Sequence, residues 1–406
     1  MSIDSGLRVA VIGAGIGGLT LAALLVARGI RVVVFEQARA LGEVGAGLQV
    51  SPNGVKVLRT LGLAEDLARV GVRPLHLTLR DWKTGIAVSR TGIADDFDQA
   101  YGAPYYHVHR ADLLGLLQRA AAGAEIRTGC AVTAVEPGEG GAWIETSAGR
   151  EHFDVVVGAD GIHSVVRRAL HGPSQARFTG NVAFRALVPA DDELRRRVAR
   201  DSTLWMGPGG HVVHYFVRDA QLLNIVAVYE TDRWTDESWT QPATVSELSA
   251  CFTNWNRSLT DLLARATQCN RWALFDRDPL TGWGRGRVTL LGDAAHPMLP
   301  FLAQGAVMAI EDAYVLAQAM ASQEVPLEDA LRGYESSRGR RTARLQLAAR
   351  AQGASMHRSG ALDAWRRNIR LFIRSRWSRD DQLAKGQSLY GFDVTVPAER
   401  NRTQAR

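Results

Sequence analysis

Arg8-Val-Ala-Val-Ile12, followed by Gly13-Ala-Gly15-Ile-Gly17-Gly18, is the stretch on which the fold turns. After the leading arginine, the first residues are small or β-branched and apolar, the composition of a strand buried on both faces. The glycines at 13, 15 and 18 then have G-x-G-x-x-G spacing. Gly13 permits a tight turn, Gly15 lets backbone N–H groups approach a pyrophosphate, and Gly18 allows close packing of helix on strand. Leu19 to Arg28 reads as a helix whose N-terminus points the positive end of its dipole at those phosphates. Arg31-Val-Val-Val-Phe35 is a second strand, and Glu36 at its end is placed to accept hydrogen bonds from an adenosine ribose. An acid there disfavours a 2′-phosphate, so the expected dinucleotide is FAD or NAD(H) rather than NADP(H).

The same region, Val9 to Ala27, carries no charge and is long enough to read as a membrane span or a signal-peptide core. Gly13, Gly15, Gly17 and Gly18 would weaken a helix across its middle. Arg28-Gly-Ile-Arg31 leads into another apolar run, with no A-x-A-like cleavage site. A soluble, cytoplasmic chain is therefore expected. Its 406 residues suggest about two to three domains. Hydrophobic residues at 46% and charged residues at 22% exclude a collagen-like or largely disordered chain. Cys130, Cys251 and Cys269 share no C-x-x-C spacing, which argues against a disulfide framework or a zinc site. The net charge is +6, but no basic stripe interleaved with aromatics precedes the last fifth of the chain, so nucleic acid is not an expected partner.

Two later segments separate FAD from NAD. Asp154-Val-Val-Val-Gly158-Ala-Asp160-Gly161 is a buried strand breaking into a polar turn. Arg287-Val-Thr-Leu-Leu-Gly292-Asp293-Ala-Ala-His296-Pro297 is another, followed by Gln304-Gly305 and a helix from Ala306 to Met320. With the opening glycines, these segments resemble the single-component FAD-dependent aromatic hydroxylases, in the branch of 3-hydroxybenzoate 6-hydroxylase, 6-hydroxynicotinate 3-monooxygenase and salicylate hydroxylase. The resemblance runs from Val9 to about Val394. It implies that Asp160 belongs to the cofactor site, that Asp293 holds FAD hydroxyls and that Arg110 contacts the cofactor. It also implies that the helix starting near Gly305 and Ala306 points its N–H groups at the flavin N1–C2=O edge. The family's P-x-x-G-Q-G loop reads Pro300-Phe-Leu-Ala303-Gln304-Gly305 here, with alanine in place of glycine.

From Phe178 to Trp272 the pattern turns strand-like, in Asn181–Val188, His211–Val217 and Leu222–Tyr229. Strand alternation puts His211, Val213 and Tyr215 on one face and His214 on the other. The relatives carry a similar H-x-x-x-Y pair facing substrate, so His211 and Tyr215 are carried over. An imidazole can take a phenolic proton as general base while a tyrosine hydroxyl orients the ring. Gln304 and Pro297 join them as substrate-site candidates, with Trp205, Met206, Phe301 and Leu302 as walls. Arg185 is the candidate carboxylate clamp.

The expected fold is α/β: a Rossmann-type FAD-binding domain (1–177 and 273–345, with short substrate-domain strands near 74–105), an inserted β-sheet substrate domain (178–272), and a C-terminal helical segment and tail (346–406). The Arg-rich stretch Trp365–Arg379 reads as an amphipathic helix on the FAD domain or a dimer partner, with an anionic lipid surface as the other reading. Arg400–Arg406 is expected to be disordered. No second G-x-G-x-x-G is present, so NADH or NADPH visits an open cleft. The activity implied is hydroxylation of a small phenolic or hydroxypyridine carboxylic acid through a flavin C4a-hydroperoxide formed from O2. The oxygen enters para to the hydroxyl, or at the carboxylated carbon with loss of CO2. The alternatives are a monooxygenase of larger polyketide, quinolone or isoprenoid scaffolds, a halogenase (Trp234 and Trp239 lack its W-x-W-x-I-P stretch), and a non-catalytic flavin module. A monomer or homodimer is expected.

Overall fold

The computed structural model describes residues 6–42, 46–232, 241–357, 360–374 and 379–396. Trp234, Trp239, Trp377 and the segment 400–406 lie outside the described residues. Arg8–Ile12 is central in a parallel sheet ordered Val288–Leu290, Val155–Gly158, Arg8–Ile12, Arg31–Phe35, Glu125–Arg127. Val9 pairs with Val155 on one side and Val32 on the other, and Val9, Ala10 and Val11 are wholly buried. Helix Ile16–Val26 covers this sheet and packs in turn against helix Gly305–Ala321. The uncharged stretch thus divides into strand, glycine turn and helix. No described helix is long and apolar enough to cross a membrane.

Two glycines set the turn. Gly13 has φ +103°, and a Cβ there would stand 2.5 Å from the Ala159 carbonyl oxygen. A Cβ on Gly18 would collide with the Gly13 carbonyl oxygen. Steric room, as much as φ, therefore keeps side chains off the first turn.

A second sheet runs in the order Gln241–Pro242, Gln268–Asp276, Arg177–Pro189, Leu222–Glu230, Gly210–Val217, Ser202–Gly207, His76–Asp81, Ala87–Gly92. It draws strands from two separate stretches of chain. Ser202–Gly207 and His76–Asp81 meet in parallel, while the other neighbours are antiparallel. One face packs under helices Val245–Ala250 and Arg257–Leu263 through Leu248, Phe252, Leu259 and Leu263. On the other face, Ala183, Val228, Trp272 and Leu274 meet Leu299, Phe301 and Ala349. This second contact lays the sheet against the 299–302 loop and against the long helix Leu327–Met356, which runs through residue 345.

Helix Ala361–Arg374 returns over the edge strand Ala87–Gly92. Buried Arg367 donates to the Met356 carbonyl at 2.8 Å, whereas Trp365, Ile369, Phe372 and Ile373 are exposed. The chain then passes through helix Arg379–Gly386 and the turn Gln387–Gly391.

Candidate active site

The C-terminal ends of the three parallel strands after Ile12, Gly158 and Leu290 open into a cleft, where such sheets place their ligands. A cavity of about 380 Å³ there is lined by Gly13, Gly15, Glu36, Arg110, Asp160, Asp293, Gly305 and Ala306. Gly18 does not line it, because it lies beneath Gly13. The Glu36 carboxylate accepts from the Ala14 N–H at 2.9 Å and the Ala38 N–H at 2.8 Å, which fixes it at the end of its strand. Asp160 accepts from the Val165 N–H at 2.7 Å through Oδ2, while its buried Oδ1 has no partner. Burial raises the pKa of Asp160 against the pull of the Ser164 side chain and of backbone N–H groups including those of Val165 and Val166. Asp293 opens onto the cleft, yet the cleft lies deep among protein atoms. Desolvation therefore raises its pKa too, opposed by His296 and Arg110.

Helix Gly305–Ala321 begins at this cleft with no side-chain cap and no acid in its first turn. Asp293 Oδ1 lies 3.8 Å from where a Cβ on Gly305 would stand. An unpaired buried carboxylate oxygen, a glycine cradle and an uncapped helix N-terminus together suit a dinucleotide carrying hydroxyls, a pyrophosphate and an electron-rich ring edge. These residues fit FAD.

A second cavity, of about 430 Å³, lies across the Pro300–Ala306 segment. Pro300, Phe301, Leu302 and Ala303 line this cavity, while Gly305 and Ala306 line the first. Its walls are mostly apolar, including Leu77, Leu79, Ile93, Leu204, Val213, Leu371 and Leu383. Tyr101, Tyr105, Tyr390, Gln49 and Lys385 add polar groups. His211 lines it. Burial depresses the His211 imidazole to about 3, helped by neighbouring His357, so the ring is neutral at physiological pH.

The other three candidates stand behind the wall. Tyr215 is buried with its ring centroid 4.2 Å from that of His107, under the Gly47–Val50 strand. Tyr215 stands four residues beyond His211 on the strand, about 13 Å, which carries it past the cavity although it shares the face of His211. Gln304 donates to Ser51 Oγ at 3.0 Å and accepts from Asn53 Nδ2 at 3.3 Å. Pro297 is buried, and its carbonyl accepts from Gln346 at 2.9 Å. His214 points the other way and accepts from Trp205 Nε1 at 3.1 Å. Of the proposed walls, Phe301 and Leu302 line the cavity, whereas Trp205 lines a different recess. Arg185 stacks over Trp272, 4.4 Å from the ring centroid. Lys385, Tyr390 and His357 were not singled out from sequence, since nothing local marks them.

This parallel sheet with its glycine turn, its mixed second sheet and its uncapped helix defines a Rossmann-type flavoprotein fold. The chain belongs to the FAD binding domain family, whose model matches residues 6–348. It is 41% identical over 351 residues to a 3-amino-4-hydroxybenzoate 2-monooxygenase of Streptomyces platensis, covering 86% of this chain and 88% of the relative. It is 38% identical to 3-hydroxybenzoate 6-hydroxylase 1 of Aquipseudomonas alcaligenes, with 89% and 93% covered. HpxO of Klebsiella pneumoniae, solved with FAD and uric acid, superposes with a TM-score of 0.83 at 27% identity, over 95% of this chain and 97% of that one.

Proposed function

We propose that the chain is an FAD-dependent monooxygenase that uses NADH or NADPH and O2 to hydroxylate a small aromatic acid of the hydroxybenzoate or hydroxypyridine carboxylate type. The observation that carries this reading is the placement of His211, in a cavity that shares the Pro300–Ala306 segment with the cofactor cleft. The relatives' names add aromatic acids as the substrate class.

The chemistry supplied by the bound cofactor is acceptance of hydride from NAD(P)H and activation of O2 for electrophilic transfer to the ring. Gly13 and Gly15, which line the cleft, would let backbone N–H groups reach the pyrophosphate. Glu36 would take the ribose, Arg110 and Asp293 would take remaining polar groups of the cofactor, and the first N–H groups of helix Gly305–Ala321 would favour negative charge on the flavin. His211 removes the phenolic proton, which makes the ring electron-rich at the moment of attack. Tyr215 and Gln304 hold the cavity wall from behind. Lys385 faces the substrate carboxylate, and the apolar walls exclude water.

The test is oxidation of NADH and of NADPH by the FAD-loaded protein across hydroxybenzoates, aminohydroxybenzoates and hydroxynicotinates, with H2O2 quantified. Ring-stimulated oxidation with little peroxide is expected. No stimulation by any small ring acid would overturn the substrate class.

A further inference from the structure

The side chains of His211, His357 and Glu230 form a chain from the second cavity to the surface. His211 Nδ1 lies 2.6 Å from His357 Nε2, and His357 Nδ1 lies 3.2 Å from Glu230 Oε1. Both imidazoles are buried, at 3% and 4% exposure, while half of the Glu230 side chain reaches solvent. Three elements converge to build this chain. His211 is second in strand Gly210–Val217, Glu230 closes the antiparallel strand Leu222–Glu230, and His357 caps the long helix. Gly209 ties two of them together: its N–H donates to the His357 carbonyl at 3.2 Å, and its own carbonyl accepts from the Glu230 N–H at 2.7 Å. The Phe301 ring, from the 299–302 loop, stands beside both imidazoles, with centroids at 5.4 and 5.8 Å.

We propose that these residues are a proton path from the substrate cavity to bulk water, with His357 and Glu230 acting through His211; this rests on the reading of the cavity as the site of a phenolic ring. The tautomers follow from the outer end. An ionised Glu230 can only accept, so His357 carries its proton on Nδ1. A neutral His357 then accepts at Nε2, so His211 donates from Nδ1. That leaves the lone pair of His211 on Nε2, the nitrogen left for the cavity that His211 lines. An exposed carboxylate two groups away thereby prepares the base.

The proton count closes. The phenol O–H bond breaks and its proton joins His211 Nε2. The Nδ1 proton of His211 moves to His357 Nε2, and the Nδ1 proton of His357 moves to Glu230, which yields it to water. The ring becomes a phenolate, and both imidazoles end neutral in the opposite tautomer. Reprotonation of the hydroxylated product by the reverse path restores them. Transfer onward is needed because a buried imidazolium at His211 is too costly to store the proton. Burial likewise lowers His357, with Glu230 opposing and the guanidinium of Arg367 reinforcing.

The experiment uses FAD-loaded wild type, Glu230→Gln and His357→Gln with 4-hydroxy-3-nitrobenzoate, whose phenolate absorbs in the visible. Stopped-flow mixing between pH 5 and 8 follows ionisation of the bound probe, and a pH indicator in weak buffer follows proton release. Both variants should bind the probe with Kd within about twofold of wild type. Both should ionise it at least about tenfold more slowly, with the midpoint shifted to higher pH, and Glu230→Asp should restore the rate. Glu230 is half exposed, so its amide variant folds. Wild-type rates and midpoints in both variants would overturn the relay alone. A wild type that does not bind the probe would overturn the reading of the cavity, and the relay with it.

Discussion

Arg338 Nε donates to Asp312 Oδ1 at 2.7 Å, and Arg338 Nη1 stands 2.8 Å from Glu311 Oε2. The two adjacent acids are fully buried on helix Gly305–Ala321, and the arginine comes from helix Leu327–Met356. Arg341 adds a second pair of contacts to Glu311 at 2.9 and 3.0 Å, and Asn53 donates to it at 2.6 Å. His296 completes the cluster against Asp312. Burial alone would favour the neutral acids. For Glu311, Arg341 and Arg338 outweigh it, and for Asp312 His296 and Arg338 do, so both carboxyls lie below their ordinary values. The cluster fixes the angle at which the helix N-terminus meets the cofactor cleft.

Arg338→Met should therefore lower stability by about 3–5 kcal/mol, since removing one partner strands a buried charge. The denaturant midpoint and the FAD retained on purification are the readouts. The pH dependence has a defined sign. Carboxyls depressed in the folded state add stability that is complete above their ordinary values of 3.8 and 4.5, and this is lost as pH falls through the lower folded values. Arg338→Met should shrink that component, while Arg341 and His296 keep the remainder.

Ala303 has φ +53° and ψ +35°, a left-handed conformation, where the family loop carries glycine. It closes the turn Pro300–Leu302 by donating to the Pro300 carbonyl at 3.0 Å. A Cβ in this conformation costs about 1–2 kcal/mol, part of which glycine returns through its freer unfolded chain. Ala303→Gly should stabilise the protein by about 0.5–1 kcal/mol, seen as a rise of about 1 °C in Tm. An unchanged or lower Tm would mean that the methyl packs well enough against the cavity to offset the strain.

What the sequence made legible was local. A β-branched run, glycines at fixed spacing and a terminal acid dictate strand, turn, helix and strand within a few residues, whatever surrounds them. Alternation likewise assigned His211 and Tyr215 to one face. It says nothing of depth along the strand, which depends on the covering segment Gly47–Val50, so Tyr215 lies behind the wall. Long-range pairings were not legible: the parallel meeting of Ser202–Gly207 with His76–Asp81, or the arrival of His357 beside His211 from the far end of a helix. One long-range pairing does leave a mark in the sequence. Glu311-Asp312 interrupts an otherwise apolar helix, and two adjacent buried acids require cations, which Arg338 and Arg341 supply at helical spacing.

Lys385 lines the second cavity from the last turn of helix Arg379–Gly386, and it is one of three lysines among 48 basic residues. A lysine on this apolar wall suits the carboxylate of an aromatic acid. Lys385→Met should raise KM for the carboxylated ring about tenfold, or about 1.4 kcal/mol, and leave kcat within about twofold. The same ring as its amide should lose little. Equal losses for acid and amide would show that Lys385 supports the wall rather than reading the charge.

Three buried histidines make the fold sensitive to mild acid. Burial lowers His107 to about 3, with Arg200 adding repulsion. It lowers His211 to about 3 beside His357, and His214 to about 4 with Arg80 adding and Asp201 opposing. In the unfolded chain each takes up a proton near its ordinary value of 6.5. Between that value and the folded one, the unfolded state binds more protons, so stability falls as pH falls, by up to about 1.4 kcal/mol per pH unit for each histidine. Above about pH 7 the contribution is complete and flat. His214 lies outside the proposed relay, accepting from Trp205, and serves as the probe. His214→Gln should flatten the dependence of stability on pH between about 6.5 and 4 by one histidine's share. Denaturant titrations of the FAD-loaded protein at half-unit steps would show it, and an unchanged slope would mean that His214 is protonated in the folded state with a partner in reach.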